Sequence, residues 1–258
     1  MMSLVKEVVL SRGTASSWLQ LHMEMTIKAV VLGRGGPALS LDGLVLAAAS
    51  HKDDVQAASY KDDTKVDNGG SVLLFHAEGI AKDELGRGGV GLSGNGLFVA
   101  AASRTHTVNG SDVGCVVVWE RANTSTPFPN SSSITLTDPN GAEDVNFGRG
   151  GVTLSHDGMV LATSAEKFDL AGGESGKVLI WHRPSTSTSF GDGIAPIPLF
   201  DPDGADKDNF GSGRVALSAD GFILAAGSPR DSDMGDDSGS ISVWESICEA
   251  GHTPPLCM

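Results

Sequence analysis

Residues 210–244 read FGSGRVALSADGFILAAGSPRDSDMGDDSGSISVW. The stretch predicts three short β-strands, because apolar and β-branched residues alternate between turns rich in Gly and Asp. The predicted strands are Val215–Ser218, Phe222–Ala226 and Ser240–Trp244. Asp220-Gly221 predicts a tight two-residue turn between the first two strands, since both positions tolerate positive φ. A unit this small cannot bury its own apolar faces, so it must stack against copies of itself.

Nearly the same unit occurs four times, in a register set by a glycine. That residue is Gly33, Gly86, Gly148 or Gly211, at successive spacings of 53, 62 and 63 residues. In every copy Ser follows it after seven positions and Ala after fourteen, and Asp-Gly or Asn-Gly lies between them. Small side chains let neighbouring strands of converging sheets approach closely, and the Trp or Phe ending each closing strand is expected to pack. The pattern predicts an all-β fold, a β-propeller-like array of about four blades.

The predicted array covers residues 1–245, and residues 246–258 are predicted to be a flexible tail. The repeats lie near 17–75, 76–119, 134–181 and 197–244. Segments 19–33, 134–148 and 197–211 align without gaps, so each repeat is expected to begin with a leading strand of its own. The second unit is expected to lack that strand, because few residues separate Phe75 from Leu85, and residues 50–70 are expected to form a long loop.

Several motifs point to one family of repeats. They are Phe147-Gly148 and Phe210-Gly211, the LSxDG turn, LAAGSP at 224–229 and GSISVW at 239–244. With these motifs the chain resembles the FG-GAP family of β-propeller repeats, which also builds the head of integrin α-subunits. The resemblance implies a non-enzymatic scaffold for protein interaction or adhesion, outside the cell or at its surface. Family members carry more blades than the four units found here. The chain is therefore a fragment, a ring closed by the strand Val8–Leu10, or part of a two-chain assembly.

Two other classes remain open. WD-repeat propellers share the Ser-x-Asp-Gly turn and a closing Trp, which would make the chain an intracellular docking scaffold. Their repeat of about 40–45 residues is shorter than the one found here, and their Gly-His opening is absent. The other class is a propeller enzyme or lectin whose site is built from loops. The expected partner is a protein or a glycan.

The composition of the chain narrows the classes of partner that are expected. The net charge is −14, with 32 acidic and 18 basic residues, so the long-range field repels nucleic acid and anionic membranes. No apolar run is long enough to span a membrane, and the N-terminus lacks the apolar core of a signal peptide. Three cysteines do not make a disulfide framework, and Cys115 is expected to be a small buried apolar residue. Sequons at Asn109, Asn123 and Asn130 tilt slightly towards a secreted glycoprotein.

Arginines provide the first candidate site. Arg34, Arg87 and Arg149 each follow the repeated glycine, so they are expected to form an arc on one face. Their guanidinium groups could bind an anionic ligand. The alternative is that each pairs with a nearby acid such as Asp83, Glu84 or Asp144.

Acidic loops provide the second candidate site. One loop contains Asp201, Asp203, Asp206 and Asp208, and the other contains Asp231, Asp233, Asp236 and Asp237. Carboxylate oxygens suit Ca²⁺, although solvated acidic loops are the commoner outcome. The calcium loop of the FG-GAP resemblance does not carry over, because only a Ser-x-Asp-Gly turn stands in its place. No metal site is therefore assigned.

No catalytic set is present in the sequence. The seven histidines do not recur at one repeat position, and neither G-x-S-x-G nor H-E-x-x-H occurs. The repeated Ser is expected to hydrogen-bond the turn rather than act as a nucleophile. The sequence predicts no enzyme activity and no cofactor.

Overall fold

The structure is a computed structural model that describes residues 37–42, 45–50, 57–62, 70–79, 83–108, 111–128, 133–141, 144–168 and 173–245. Its contacts divide the chain into residues 1–31 and 32–258, and the described residues all belong to the second unit. The predicted strand Val8–Leu10, the candidate Arg34 and the predicted tail 246–258 lie outside them. All the secondary-structure elements assigned in these ranges are β-strands, which confirms the all-β prediction there. Within the same ranges no helix has the length and apolarity needed to cross a membrane.

The described residues form four antiparallel sheets, named here sheets 1 to 4 in chain order, and one small hairpin. In spatial order, sheet 1 consists of β1 (Ala38–Leu39), β2 (Val45–Ser50), β3 (Ala57–Asp62) and β4 (Gly70–Phe75). Sheet 2 consists of β5 (Val90–Leu92), β6 (Phe98–Ser103), β9 (Cys115–Glu120) and β10 (Ile134–Leu136). The hairpin consists of β7 (Thr107–Val108) and β8 (Ser111–Asp112).

Sheets 3 and 4 repeat the same order. Sheet 3 consists of β11 (Phe147–Leu154), β12 (Val160–Ala165), β13 (Lys177–His182) and β14 (Ile197–Leu199). Sheet 4 consists of β15 (Val215–Leu217), β16 (Ile223–Ser228) and β17 (Ser240–Glu245). The three strands predicted within residues 210–244 are therefore confirmed to within two residues at each end.

The leading segments of the third and fourth units complete the preceding sheets. Strand β10 pairs with β9, placing Leu136 opposite Val116, and β14 pairs with β13 in the same way. The expectation that each repeat keeps its own leading strand is wrong for the third and fourth units. For the second unit, the described residues between Phe75 and Val90 contain no strand, as expected, yet sheet 2 has four strands because β10 completes it. The outer edge of a closing strand presents unpaired backbone N–H and C=O groups, and the next segment of chain satisfies them.

Sheet 1 departs from the repeat. Strand β3 lies between β2 and β4, with Ala57 opposite both Ser50 and Phe75. The segment 50–70, expected to be a loop, thus contains an inserted strand. As a result Gly70–Phe75 is the outer strand of sheet 1 among the described strands, whereas its counterparts in the other three sheets pair directly with the Ala-rich strand.

The repeated Ser closes each hairpin, as predicted. In sheet 3 the Ser155 hydroxyl donates to Asp157 Oδ1 at 2.6 Å and accepts from the Val160 N–H at 3.0 Å. The prediction of a two-residue turn is wrong, however. The Ser155 N–H donates to the Val160 carbonyl at 2.9 Å, so the connection is the four residues 156–159. In this turn only the glycine, Gly158 at φ +72°, has a positive φ, since the serine and Asp157 fix the rest of the loop.

Consecutive sheets contact each other through the repeated glycine. A Cβ on Gly148 would lie 2.8 Å from the Cβ of Ala102 in sheet 2, and one on Gly211 would lie 2.5 Å from the Cβ of Ser164 in sheet 3. This close approach explains why each unit follows its invariant Ala with small residues. The closing aromatics also pack as predicted. Trp181 is buried, and its ring centroid lies 6.0 Å from that of Phe147.

One face of sheet 4 remains open. Val116 and Val118 of sheet 2 are completely buried against sheet 3. The equivalent residues of sheet 4, Ile241 and Val243, are 74% and 57% exposed. Sheet 4 therefore presents to solvent, at this position, an apolar surface that sheet 2 covers with the next sheet.

Candidate functional site

Four arginines line one cavity of about 240 Å³, called here the arginine pocket. Its charged side chains are Arg87, Arg104, Arg149 and Arg214, and Ser212 and two glycines complete the lining. Arg87 and Arg149 were expected on one face, and the structure brings them to the same cavity. The sequence did not single out Arg104 or Arg214.

Glycines make this convergence possible. A Cβ on Gly150 would lie 1.8 Å from the carbonyl oxygen of Gly211, and one on Gly88 would lie 2.1 Å from that of Gly148. Backbones of successive units therefore touch beside the pocket, which brings an arginine of each unit close to those of its neighbours. The GRGG sequence has a packing reason here, and it does not form a phosphate loop.

Two of the arginines pair with glutamates. Arg87 forms an ion pair with Glu84, and Arg149 forms one with Glu166. The Glu166 side chain is only 3% exposed and also accepts from Asn146 Nδ2 at 2.9 Å, whereas Arg149 remains 46% exposed. The alternative that each arginine pairs with a nearby acid is thus confirmed for these two arginines. Glu84 was one of the expected partners. The pairing leaves their exposed guanidinium edges facing the pocket, so pairing and ligand binding are compatible.

At one repeat position the second unit has an arginine, Arg104, where the third unit has an acid, Glu166. Arg104 lies eighteen positions after Gly86, and the residue eighteen positions after Gly148 is Glu166. The position that supplies the buried acid in the third unit therefore supplies a further guanidinium group in the second. The substitution raises the positive charge of the pocket in a chain whose net charge is −14.

Arg214 occupies a strained backbone position. Gly89 and Gly151 stand at the equivalent places in units two and three, with φ of +115° and +103°. Arg214 has φ +121°, a region that residues with a Cβ rarely adopt. In the fourth unit Ser212 stands where the other units have arginine. The guanidinium group has thus moved by two positions along the chain, into a glycine position, and still lines the same pocket.

The two acidic loops meet at a second cavity of about 460 Å³. Asp206, Asp208, Asp233 and Asp237 line it together with Lys207 and Arg230, whose charges offset the acids. Asp231, ahead of burial and Asp203, raises the pKa of Asp233. Among the described residues, neither loop gathers three carboxylates into a group that could hold a metal ion.

Asp201 lies apart from that cavity lining. Its carboxylate accepts hydrogen bonds from the Ser228 and Ser242 hydroxyls, the latter at 2.8 Å. Burial raises the pKa of Asp201 despite these bonds, and Asp203 beside it raises it further. The acid links the end of sheet 3 to sheet 4, which is a structural role.

Buried arginines were missed from the sequence. Arg183 is fully buried, lies 4.3 Å from the ring centroid of Phe98 and 4.9 Å from that of Phe190, and donates to the Thr188 carbonyl at 3.0 Å. Arg121 repeats the arrangement over Phe128 at 4.8 Å. In both units the Phe follows the Arg by seven positions, a spacing that could have revealed the pair. Both arginines organise loops and do not reach the pocket lining.

No protein-family model matches the sequence, and no curated protein matches it. Among solved structures, the chain is similar to hydrazine synthase of Kuenenia stuttgartiensis, with 18% identity and a TM-score of 0.47, covering 75% of this chain and 49% of that one. It is similar to the β-propeller domain of the Trilobed protease of Pyrococcus furiosus, with 13% identity and a TM-score of 0.46, covering 83% and 55%. It is also similar to TolB of Acinetobacter baumannii, with 14% identity and a TM-score of 0.43, covering 82% and 43%. The chain spans about half the length of these three proteins. Likeness at this level carries no argument about what the chain does.

Proposed function

We propose that this chain is a non-enzymatic β-propeller-type interaction scaffold whose arginine pocket binds an acidic group of a protein partner. The observation that supports this most is the strained Arg214. Backbone strain of this kind costs about 1–3 kcal/mol and persists where a function retains it. Folding alone would favour glycine at that position, as in units two and three.

The chemistry of the pocket suits a carboxylate. Guanidinium groups present planar pairs of N–H donors that match carboxylate oxygens, and bonds between charged partners are stronger than neutral ones. The pocket is shallow enough to leave Arg149 half-exposed, which suits a side chain presented by another protein. Because the rest of the chain is acidic, attraction to the ligand is local to the pocket.

The non-enzymatic character rests on the repeated elements. Ser93 and Ser155 have their hydroxyls bonded within turns, and the four pocket arginines provide neither a nucleophile nor a general base at neutral pH. The FG-GAP resemblance, an extracellular location, glycosylation and the number of blades remain predictions. We propose that sheets 1 to 4 are successive blades, since each contacts the next face to face and shares its core with it.

The test is the binding of a fluorescent hexaglutamate peptide, measured by anisotropy at low ionic strength. A lost charged hydrogen bond is worth about 1.5–3 kcal/mol, so Arg149→Ser and Arg214→Gly should each weaken binding about 10- to 100-fold. Ser and Gly are chosen because other units carry them at these positions. Arg230→Ser, an exposed arginine outside the pocket, is the matched control and should have no effect.

A hexaglutamine peptide distinguishes charge recognition from general adhesion. Equal binding of the two peptides by the wild-type chain would refute the proposal. So would an Arg230→Ser variant that loses as much affinity as Arg149→Ser, because the binding would then follow net charge rather than the pocket.

A further inference from the structure

Three potential metal ligands meet in the core between sheets 1 and 2. They are His76, directly after β4, His106, before the small hairpin, and Cys115, the first residue of β9. One donor atom from each lies within 4.8 Å of the other two, and all three residues are buried. The two imidazole rings are 4.8 Å apart between centroids.

One nitrogen of this cluster has no hydrogen-bond partner. His76 Nε2 lies 3.0 Å from the Thr135 hydroxyl, and with that nitrogen as the donor, Nδ1 carries a lone pair. Nδ1 makes no hydrogen bond, although the side chain is only 1% exposed. It lies 3.9 Å from Asp83 Oδ2, the same oxygen that lies 2.9 Å from His106 Nδ1. A buried polar atom without a partner calls for an explanation, and a missing ion is one of the recognised explanations.

The repeat shows what the fold places at this position elsewhere. Lys177 and Phe168 of the third unit have the same offsets from Gly148 as Cys115 and His106 have from Gly86. There the Lys177 side chain is only 2% exposed, and its ammonium lies 2.7 Å from Asp138 Oδ2 and 3.6 Å from the centroid of the Phe168 ring. The interface between sheets 2 and 3 thus holds a buried cation beside a carboxylate. The interface between sheets 1 and 2 has the carboxylate, Asp83, but no lysine at that position.

We propose that His76, His106 and Cys115 bind one Zn²⁺ ion, which takes the place that the Lys177 ammonium fills in the next interface. Two imidazole nitrogens and a sulfur are typical zinc donors. Asp83 Oδ2 lies 2.9 Å from His106 Nδ1, where a carboxylate either orients the ring or serves as a fourth ligand. Zinc bonds of about 2.0–2.3 Å place tetrahedral ligands about 3.3–3.8 Å apart, so the donor atoms need to close by about 1 Å.

Binding requires Cys115 to lose its proton. Burial, ahead of the charges of Asp83 and Glu78, raises the pKa of this thiol, so the metal-free chain keeps it as S–H. On binding, the S–H bond breaks, the Zn–S bond forms and the proton leaves to solvent, with no change of oxidation state. The divalent ion also neutralises the acidic surroundings that otherwise disfavour a thiolate.

The test uses the full chain, stripped with a chelator and titrated with Co²⁺ and Zn²⁺. Co²⁺ should give the visible bands of a tetrahedral site and a thiolate charge-transfer band, at a stoichiometry of about one ion per chain. Zn²⁺ should displace Co²⁺ and raise the melting temperature, because a ligand that binds only the folded state stabilises it. A wild-type chain that gives no tetrahedral Co²⁺ spectrum would overturn the proposal.

Variants locate the site. Cys115→Ser should abolish the charge-transfer band, whereas the double variant Cys248→Ser and Cys257→Ser should keep it. Asp83→Asn should weaken binding about 10- to 100-fold, as loss of a carboxylate partner of a ligating histidine does. His156→Gln, at an exposed turn, is the matched control and should bind normally. A charge-transfer band that persists in Cys115→Ser and disappears in the double variant would overturn the assignment, even if Cys115→Ser folds less well.

Discussion

Replacing Arg214 by glycine should stabilise the protein while it weakens ligand binding. At φ +121° the arginine stores about 1–3 kcal/mol of backbone strain, which glycine releases. Glycine returns about 0.5–1 kcal/mol of that gain through the greater freedom of the unfolded chain, and the exposed guanidinium group loses surface contacts worth less than about 1 kcal/mol. The net expectation is a gain of about 1 kcal/mol, which for a chain of this size raises the melting temperature by about 2–4 °C.

Arg214→Ala separates strain from charge. Alanine keeps the Cβ, and therefore the strain, but lacks the guanidinium group, so this variant should lose peptide binding without gaining stability. Urea denaturation and calorimetry measure the stability, and the hexaglutamate titration measures binding. The reasoning fails if Arg214→Gly is less stable than the wild type by 1 kcal/mol or so, or if alanine stabilises as much as glycine.

Urea denaturation tests three further predictions, which concern the core packing, the serine turns and the pH dependence of stability. Val118→Ala should lower the free energy of unfolding by about 2–3 kcal/mol, because it removes buried carbons and leaves a cavity. Val243→Ala, at the equivalent exposed position, should change it by less than about 0.5 kcal/mol. Similar losses in the two variants would contradict the open face of sheet 4. Ser155→Ala should cost about 1–3 kcal/mol because it leaves a buried turn N–H without its acceptor, and Ser218→Ala, in the exposed copy of that turn, should cost less; the reverse order would refute the role of the serine. Burial lowers the pKa of His182 below 6.5, so the unfolded state takes up the proton first and stability should fall as pH decreases below 6.5; a His182→Gln variant with the same pH dependence as the wild type would refute it.

The repeat predicted the parts of the fold that depend on local pattern. The hairpin of residues 210–244 follows from alternation and turn residues. The contact of Gly148 with Ala102 follows the prediction that small residues permit close approach. The assignment of Ile134–Leu136 to the preceding sheet was not predictable in this way, because the repeat shows which segment recurs but not which edge it pairs with. The inserted strand Ala57–Asp62 has no counterpart in the other units, so the repeat gave no signal for it.

The candidate sites were predictable only in part. Arg87 and Arg149 share a repeat position, so the symmetry of the array places them together. Arg214 breaks the register, and its role depends on a backbone conformation that the sequence does not show. His76, His106 and Cys115 recur nowhere else in the repeat. Their meeting depends on how sheets 1 and 2 pack, which is a long-range property of the chain.

The most direct measurement is a crystal structure of the full chain in the presence of selenate, located by its anomalous scattering. The arginine pocket should hold a selenate ion within hydrogen-bond distance of Arg149 and Arg214, and the Arg214→Gly crystal should have a weaker peak or none. Selenate bound at other arginines, with no peak in the pocket, would contradict the assignment of this cavity as the binding site.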